Sequence, residues 1–298
     1  MTDEPTTAST LDQRSPVARF YTWPQIRKGP YGWGRVAAAL GLLLIGLVVA
    51  LSVAGIAAAT NLEGESASTP SPVMQVVQLT VPIATWWIIV LLVARFLFSM
   101  RFGDLISYRP GVRWGLLTKS LLLGVIAFAL LAVAQMVLGE QSMSMSGPVV
   151  TALVLMLLLV PLQASAEELV FRGFVLQTVL GKIGFSTGKF WVISLVMASA
   201  FAALHAASQP TVLITYVLFS AIFALLAWKT AGIEAAIGVH VANNLVSVGA
   251  GLLRGENLVG EQSDVSAGLL PLVVQLALGL AVALIVIWMA RREDPALR

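Results

Sequence analysis

Long apolar runs separated by short polar connections dominate the chain from residue 36 onward. Runs of this length are long enough to cross about 30 Å of hydrocarbon as α-helices. They cover residues 36–60, 73–94, 116–139, 148–181, 189–208, 211–228, 232–253 and 267–290. The pattern therefore predicts an all-α protein, a polytopic transmembrane bundle of about eight spanning helices.

The polar segments between these runs divide the chain into four parts. Residues 1–35 are predicted to form a disordered or interfacial tail, because a Ser-, Thr- and Pro-rich start gives way to aromatic residues beside Arg and Lys. Residues 36–139 hold the first three spanning helices, and residues 148–253 form a helical core. Residues 254–298 supply an outer loop, the last spanning helix and a short basic tail.

Composition places most of the chain in lipid. Hydrophobic residues make up 58% of the sequence and charged residues 11%, which is far from the composition of soluble domains. The absence of cysteine excludes disulfides, thiolate metal sites and a cysteine nucleophile. The net charge is +3, but no basic cluster is interleaved with aromatic residues, so the expected environment is a lipid bilayer and no nucleic acid partner is predicted.

The basic residues lie mostly on one side of the predicted bundle. Of the 18 Lys and Arg residues, only Arg254 falls in a predicted outer connection, and Arg172 falls inside a span. Because basic connections stay in the cytoplasm, both termini are predicted to be cytoplasmic. The Ala-rich sequence, with Arg used more than Lys, favours a bacterial source and therefore a multi-pass plasma membrane protein.

The fourth apolar run contains three charged residues, Glu167, Glu168 and Arg172. A charge at this depth costs roughly 2.5 to 3.5 kcal/mol on insertion scales, so such residues usually mark chemistry, a conduction path or an internal ion pair. Glu168 and Arg172 are four residues apart and share a helix face, whereas Glu167 faces elsewhere. We expect a Glu168–Arg172 ion pair, with Glu167 turned toward a cavity. The alternative is that the three charges form a buried ionic network with a purely structural role in the bundle.

The two histidines of the chain also fall in apolar runs, at the depth of the charged residues. Glu167 lies 14 residues before the predicted turn at 181–189, and His205 lies 16 residues after it. At 1.5 Å per residue these positions are roughly 21 and 24 Å from the same end of the bundle. His240 and Asn244 rise from that end on another helix, four residues apart and on one face. All four side chains can therefore share one layer.

Three motifs in this order resemble those of the CAAX protease and bacteriocin-processing family, or Abi family, of intramembrane glutamate endopeptidases. The resemblance covers about residues 148–250. The motifs are Glu167-Glu168-Leu169-Val170-Phe171-Arg172, then Phe201-Ala202-Ala203-Leu204-His205, then His240-Val241-Ala242-Asn243-Asn244.

The resemblance implies an intramembrane endopeptidase that needs no metal or other cofactor. It implies that Glu167 activates water with help from His205, that His240 and Asn244 stabilise the oxyanion, and that Glu168 and Arg172 form a supporting ion pair. The substrate would be a peptide or protein within or near the membrane. It would be prenylated, as in eukaryotic relatives, or one of the peptides that bacterial relatives process. Elementary chemistry agrees, because a desolvated carboxylate is a stronger base toward water and an imidazole with an amide can supply oxyanion donors.

Other functions remain open on the sequence alone. Glu167, His205 and His240 could bind zinc with water in the fourth position, as in a metalloprotease, although no His-Glu-x-x-His motif is present. Intramembrane acids and histidines also form proton relays in transporters. An inactive relative acting as an immunity or scaffold protein is a further alternative. Ser165 and Ser199 lie in nearby runs but lack the sequence context of a serine nucleophile.

Overall fold

The architecture is a bundle of long helices. The computed structural model describes residues 15–62, 70–109, 111–139, 143–205, 209–259 and 269–298. Within those residues, eight helical segments are long and apolar enough to cross a membrane. No strand occurs in the described ranges, where Ser107 and Gly232 form an isolated antiparallel bridge. The predicted all-α, multi-pass membrane architecture is confirmed.

Thirteen α-helices, numbered in chain order over the described residues, build the bundle. They are α1 (Pro16–Phe20), α2 (Trp23–Lys28), α3 (Trp33–Leu62), α4 (Pro72–Ala84), α5 (Trp86–Phe98), α6 (Phe102–Ile106), α7 (Trp114–Leu138), α8 (Gly147–Glu168), α9 (Leu176–Ile183), α10 (Thr187–Leu204), α11 (Pro210–Thr230), α12 (Glu234–Arg254) and α13 (Leu269–Glu293). A π-helical turn, Leu169–Val175, joins α8 to α9, so these three elements form one span. Helices α4 and α5 together form another.

Helix starts in the bundle follow local sequence signals. The Ser71 side chain accepts a hydrogen bond from the Met74 amide at 3.4 Å, and Pro72 then opens α4. The Ser186 side chain likewise accepts from the Lys189 amide at 3.3 Å at the start of α10. Pro210 opens α11, where its missing N–H costs nothing. These caps set where the spanning helices begin, and so the depth of the side chains within them.

Helix α12 lies at the centre of the bundle and packs against α7, α8, α11 and α13. Its close approach to α7 depends on Gly238. A Cβ atom at this position would lie 2.7 Å from the Leu117 carbonyl oxygen and 2.8 Å from the Leu121 nitrogen. Small residues at helix interfaces in membranes permit such backbone contact. Gly238 therefore sets the position of α12 two residues before His240.

The N-terminal segment differs from the predicted tail. From Pro16 onward it forms α1 and α2, and the side chains of Tyr21, Trp23 and Tyr31 are buried rather than interfacial. The Trp23 indole N–H donates to the Ser107 carbonyl at 3.1 Å. The Tyr31 hydroxyl donates to the Thr178 carbonyl at 2.7 Å, and burial raises the pKa of this phenol above its ordinary value. Residues 1–14 of the predicted tail lie outside the described residues.

Ion pairs join the chain segments at the end of the bundle that is predicted to be cytoplasmic. Arg113 binds Glu234 with two hydrogen bonds, at 2.9 and 2.7 Å, and so fastens the start of α7 to the start of α12. Arg109 binds Asp294 at 2.7 Å, which fixes the end of α13. Arg27 binds Asp104 of α6 with two contacts of 2.7 Å. Bidentate Arg–carboxylate pairs, as at Arg113 and Arg27, are the strong kind, and they tie separate chain segments together at this end of the bundle.

Candidate active site

Glu167 and Glu168 end α8, directly before the π-helical turn. All seven residues of the turn are buried, including Arg172. A Cβ atom at Gly173 would lie 2.7 Å from the Leu105 carbonyl oxygen, so this glycine lets the turn pass close to α6. Single π-turns inside α-helices occur frequently at functional sites, because they re-aim the side chains around them. The depth estimate from the sequence assumed a uniform rise of about 1.5 Å per residue and therefore did not predict the π-helical turn.

Glu168 is a fully buried carboxylate that holds two partners on one oxygen. Its Oε1 lies 2.9 Å from the Arg172 guanidinium and 2.9 Å from Nδ1 of His240. The predicted ion pair between Glu168 and Arg172 is therefore present, and it also includes an imidazole. Since a carboxylate accepts, His240 carries its proton on Nδ1 and donates it to Glu168. The other ring nitrogen, Nε2, is left to face the remaining site residues.

Arg172 is surrounded by groups that compensate its charge. It donates to the Ser220 carbonyl at 3.0 Å and to the Ser220 hydroxyl. The rings of Phe171, Phe201 and Phe223 have their centroids 5.4 to 5.8 Å from its guanidinium carbon. Cation–π contacts of this kind stabilise a desolvated cation. Arg172 therefore has no surface left for substrate, and its role in this structure is to hold Glu168.

Glu167 has a different environment from its neighbour. The residue is only 3% exposed, and its Oε2 lies 3.4 Å from Nε2 of His240. This oxygen makes no hydrogen bond with another described protein group. Buried carboxylate oxygens are normally hydrogen-bonded, but Oε2 of Glu168 is also buried without a partner, so this feature alone does not separate the two acids. Of the two adjacent acids, Glu167 is the one whose charge is not neutralised by an arginine.

Asn244 completes the group around His240. Its amide Nδ2 lies 3.2 Å from Nε2 of His240 and 3.3 Å from Oε1 of Gln163. The amide thus donates toward the lone pair of Nε2, in agreement with the proton on Nδ1. Gln163 was not among the residues predicted from the sequence. The sequence feature that could have identified Gln163 is its position one helical turn before Glu167, on the same face of α8.

His205 lies beside this group without hydrogen bonding to it. It directly follows α10, and its Nδ1 donates to the Phe201 carbonyl at 2.8 Å. Its ring centroid lies 4.5 Å from that of Phe201 and 4.2 Å from that of Tyr216. Among the described residues, His205 makes no hydrogen bond or ion pair with Glu167. Phe201 packs between the two histidines, since its ring centroid also lies 6.1 Å from that of His240.

The hydroxyl of Ser165 is already occupied. It donates to the Pro161 carbonyl at 2.6 Å and accepts from the Trp87 indole at 3.0 Å. No imidazole contacts it in the part of the chain that the structure describes. A serine nucleophile needs an adjacent base, so this geometry gives no support to a serine mechanism.

The donor set does not resemble a zinc site. In the described ranges, no group of three or more His, Cys, Asp or Glu side chains could hold a metal ion. His240 has its Nδ1 engaged by Glu168, and His205 is turned into contacts with Phe201 and Tyr216. The residues of the zinc alternative therefore do not converge as three ligands of a tetrahedral site would.

The spanning helices bury two glutamates, an imidazole and side-chain amides between them. Ionisable groups inside a membrane protein usually mark a functional site, so this cluster is the candidate active site of a multi-pass membrane protein. Comparison with known proteins gives a family match for part of the chain. Residues 147–246 match the family described as Rce1-like, type II CAAX prenyl endopeptidase Rce1-like. The matched segment carries all three motifs, so the family resemblance predicted from the sequence is confirmed for it.

A curated relative extends the similarity beyond that segment. The uncharacterized protein YyaK of Bacillus subtilis (strain 168) is 31% identical to this chain over 168 residues, which cover 52% of this chain and 54% of the relative. The chain thus spans about half the length of this relative. No solved structure matches the chain.

Proposed function

We propose that this protein is an intramembrane endopeptidase that hydrolyses a peptide bond with a water molecule activated by Glu167. The observation that carries the proposal is the contrast between the two acids. Glu168 is neutralised by Arg172 and bound by His240, whereas Glu167 has no arginine partner and its Oε2 lies 3.4 Å from Nε2 of His240. The match of this segment to an endopeptidase family supports the same reaction.

The first step is proton transfer from water to Glu167. The water oxygen attacks the carbon of the scissile carbonyl, and the Glu167 carboxylate takes its proton as general base. The carbonyl π electrons move to oxygen and form an oxyanion. The Asn244 amide donates to Gln163 and to Nε2 of His240; when that nitrogen takes a proton, the N–H facing it is released and can donate to the oxyanion.

His240 is the natural second carrier of the proton. Its unprotonated Nε2 accepts from the Asn244 amide at 3.2 Å and lies 3.4 Å from Glu167, so the proton can pass from the acid to the imidazole as the amide N–H is released. The resulting imidazolium is stabilised by Glu168, 2.9 Å from Nδ1, and its Nε2–H becomes a second oxyanion donor. The carbon–nitrogen bond then breaks, the leaving amine takes this proton from Nε2, and His240 returns to its neutral state.

His205 serves the substrate rather than Glu167 in this scheme. Its Nδ1–H is donated to the Phe201 carbonyl, so the neutral ring keeps Nε2 as an acceptor. The residue is half-buried, as is Asn244, whereas Glu167 and His240 are buried. We infer that substrate approaches from the side of His205 and Asn244, and that His205 binds or orients the scissile peptide.

The test is cleavage by the purified protein in lipid nanodiscs. The substrates are quenched fluorescent peptide libraries with and without a C-terminal prenylated cysteine. Glu167→Gln keeps the shape of the side chain and removes the base, so we expect a loss of roughly 100- to 10,000-fold in rate with unchanged thermal unfolding. Wild-type cleavage by the Glu167→Gln variant would overturn the proposal.

Two further experiments distinguish the proposed endopeptidase from a zinc metalloprotease and from a transporter. Chelation that abolishes cleavage, with recovery on adding zinc, would favour a metalloprotease. Proton-coupled uptake into liposomes that survives Glu167→Gln would favour a transporter. We expect neither result, because the described residues offer no three-ligand set and Glu168 and Arg172 neutralise each other inside the bundle.

A further inference from the structure

Four side-chain amides from three spanning helices form one continuous hydrogen-bonded chain that ends at the site. Gln275 of α13 donates to Asn243 at 2.9 Å, and Asn243 donates to Asn244 at 3.1 Å. Asn244 then donates to Gln163 of α8 at 3.3 Å and lies 3.2 Å from Nε2 of His240. None of the family motifs quoted above contains Gln163 or Gln275.

The chain has a direction. An amide side chain has one accepting end and one donating end, so the partner of one end decides where the other end points. The Gln275 donor occupies the Asn243 carbonyl, which turns the Asn243 NH₂ toward the Asn244 carbonyl. The Asn244 NH₂ is thereby turned toward His240 and Gln163. Gln275, Asn243 and Asn244 share the same polarity, each with its donor aimed toward the site, and Gln163 accepts at the end of the chain.

We propose that Gln275 and Gln163 are positioning residues that fix the Asn244 amide with its NH₂ on the His240 side, where one N–H can donate to the oxyanion once His240 is protonated. The inference rests on the proposed function, in which Asn244 donates to the oxyanion. If the amide turned over, it would present a carbonyl oxygen to the developing negative charge. Gln275 prevents this from the donor end of the chain and Gln163 from the acceptor end.

The proposal brings the last spanning helix into the site. Gln275 lies on α13, outside residues 147–246 that match the family. It is half-buried, in a helix whose other face contacts lipid, where few competing hydrogen-bond partners exist. The two positions have opposite requirements: Gln275 must donate, whereas Gln163 must accept.

This opposition gives a test that a purely structural role would not pass. Gln275→Glu keeps the shape but cannot donate when ionised, so kcat should fall roughly 10- to 100-fold, less than the 100- to 1,000-fold expected for outright loss of an oxyanion donor. KM should change less than about twofold, because the transition state alone is affected. Gln163→Glu retains an acceptor oxygen and should therefore lose less kcat than Gln163→Met, for which we expect a loss of roughly tenfold.

Gln135 of α7 is the matched control, because it is half-buried in a spanning helix and lies outside the amide chain. Gln135→Glu should leave kcat and KM unchanged. Equal losses at Gln275→Glu and Gln163→Glu, or normal kcat in Gln275→Glu, would overturn the inference while leaving the proposed function intact if Glu167→Gln is inactive.

A second measurement tests the chain even without cleavage. Unfolding equilibria of Gln275→Met, Asn244→Leu and the double variant form a cycle between two residues that do not contact each other directly. Asn243 links them, so we expect the two effects to be non-additive by at least about twofold in the equilibrium constant. Strict additivity would contradict the proposed chain. Absence of wild-type cleavage in the same preparation would count against the proposed function alone.

Discussion

Oε1 of Glu168 accepts hydrogen bonds from both Arg172 and His240, each at 2.9 Å. A single oxygen therefore ties the π-helical turn to α12. The contact also orients the imidazole, because Nδ1 is committed to Glu168 and only Nε2 is left for Glu167 and Asn244. Glu168 is thus a structural partner of both His240 and Arg172.

Removal of one member of this ion pair should destabilise the bundle. Arg172→Met leaves the Glu168 carboxylate buried at 0% exposure with His240 as its remaining partner. Loss of one partner from a buried pair costs roughly 3–5 kcal/mol, so we expect a decrease of that size in the free energy of unfolding. Unfolding of the purified protein by increasing fractions of sodium dodecyl sulfate in mixed micelles measures it.

The double variant Glu168→Leu/Arg172→Met is the control. It removes both charges, so it should be more stable than Arg172→Met even though it carries one more substitution. A double variant less stable than either single variant would show that the pair stabilises the bundle by something other than mutual neutralisation.

The sequence predicts the parts of this site that depend on helical periodicity within one element. The spacing of Glu168 and Arg172 fixes a shared face, and the resulting ion pair is present at 2.9 Å. The depth argument placed His240 in the layer of the acids, and its imidazole contacts both of them. These relationships depend on rise and angle per residue, which vary little between helices.

Relationships between helices could not be predicted in the same way. The contact of Gln163 with Asn244 depends on the rotation of α8 against α12, which the periodicity within either helix does not fix. The burial of Tyr21 could not be predicted from the sequence either. An aromatic residue near Arg and Lys has the same sequence signature whether it lies at the lipid surface or packs into the bundle.

The two histidines should differ in their effect on stability. The His240 ring stacks on Phe223 with centroids 4.5 Å apart, and it supplies one of the two donors to Glu168. His240→Ala should therefore abolish cleavage and also lower the free energy of unfolding by about 1–3 kcal/mol, since it removes a hydrogen bond to a buried charge. His205→Ala should abolish cleavage with a loss below about 1 kcal/mol, because its hydrogen bond is local to one helix end.

Peptide cleavage and detergent-induced unfolding of both histidine variants decide this prediction. His205→Gln serves as a second variant that keeps a polar side chain at the helix end. If His205→Ala unfolds as readily as His240→Ala, His205 has a structural role in the bundle that its contacts do not explain.

Gly238 should be intolerant of a methyl group. A Cβ atom there would meet the backbone of α7 at 2.7 and 2.8 Å, and backbone atoms cannot move aside as a flexible side chain can. Gly238→Ala should cost about 1–3 kcal/mol of stability and lower kcat, because the displaced segment of α12 carries His240. Gly115→Ala on α7 is the matched control, since a Cβ atom at Gly115 meets nothing within 4 Å. A stable and fully active Gly238→Ala variant would mean that α12 moves freely against α7.

The orientation of the bundle can be tested on a chain that contains no cysteine, so single cysteines are labelled without background. Ser146 and Gly188 are exposed and flank the span formed by α8, the π-helical turn and α9, so they lie on opposite sides of the membrane. If the basic end of the bundle is cytoplasmic, an impermeant maleimide should modify Ser146→Cys in intact cells and Gly188→Cys only after permeabilisation. The substitution at Gly188 is not expected to disturb α10, because a Cβ atom there has open space. The reverse labelling pattern would place both termini outside.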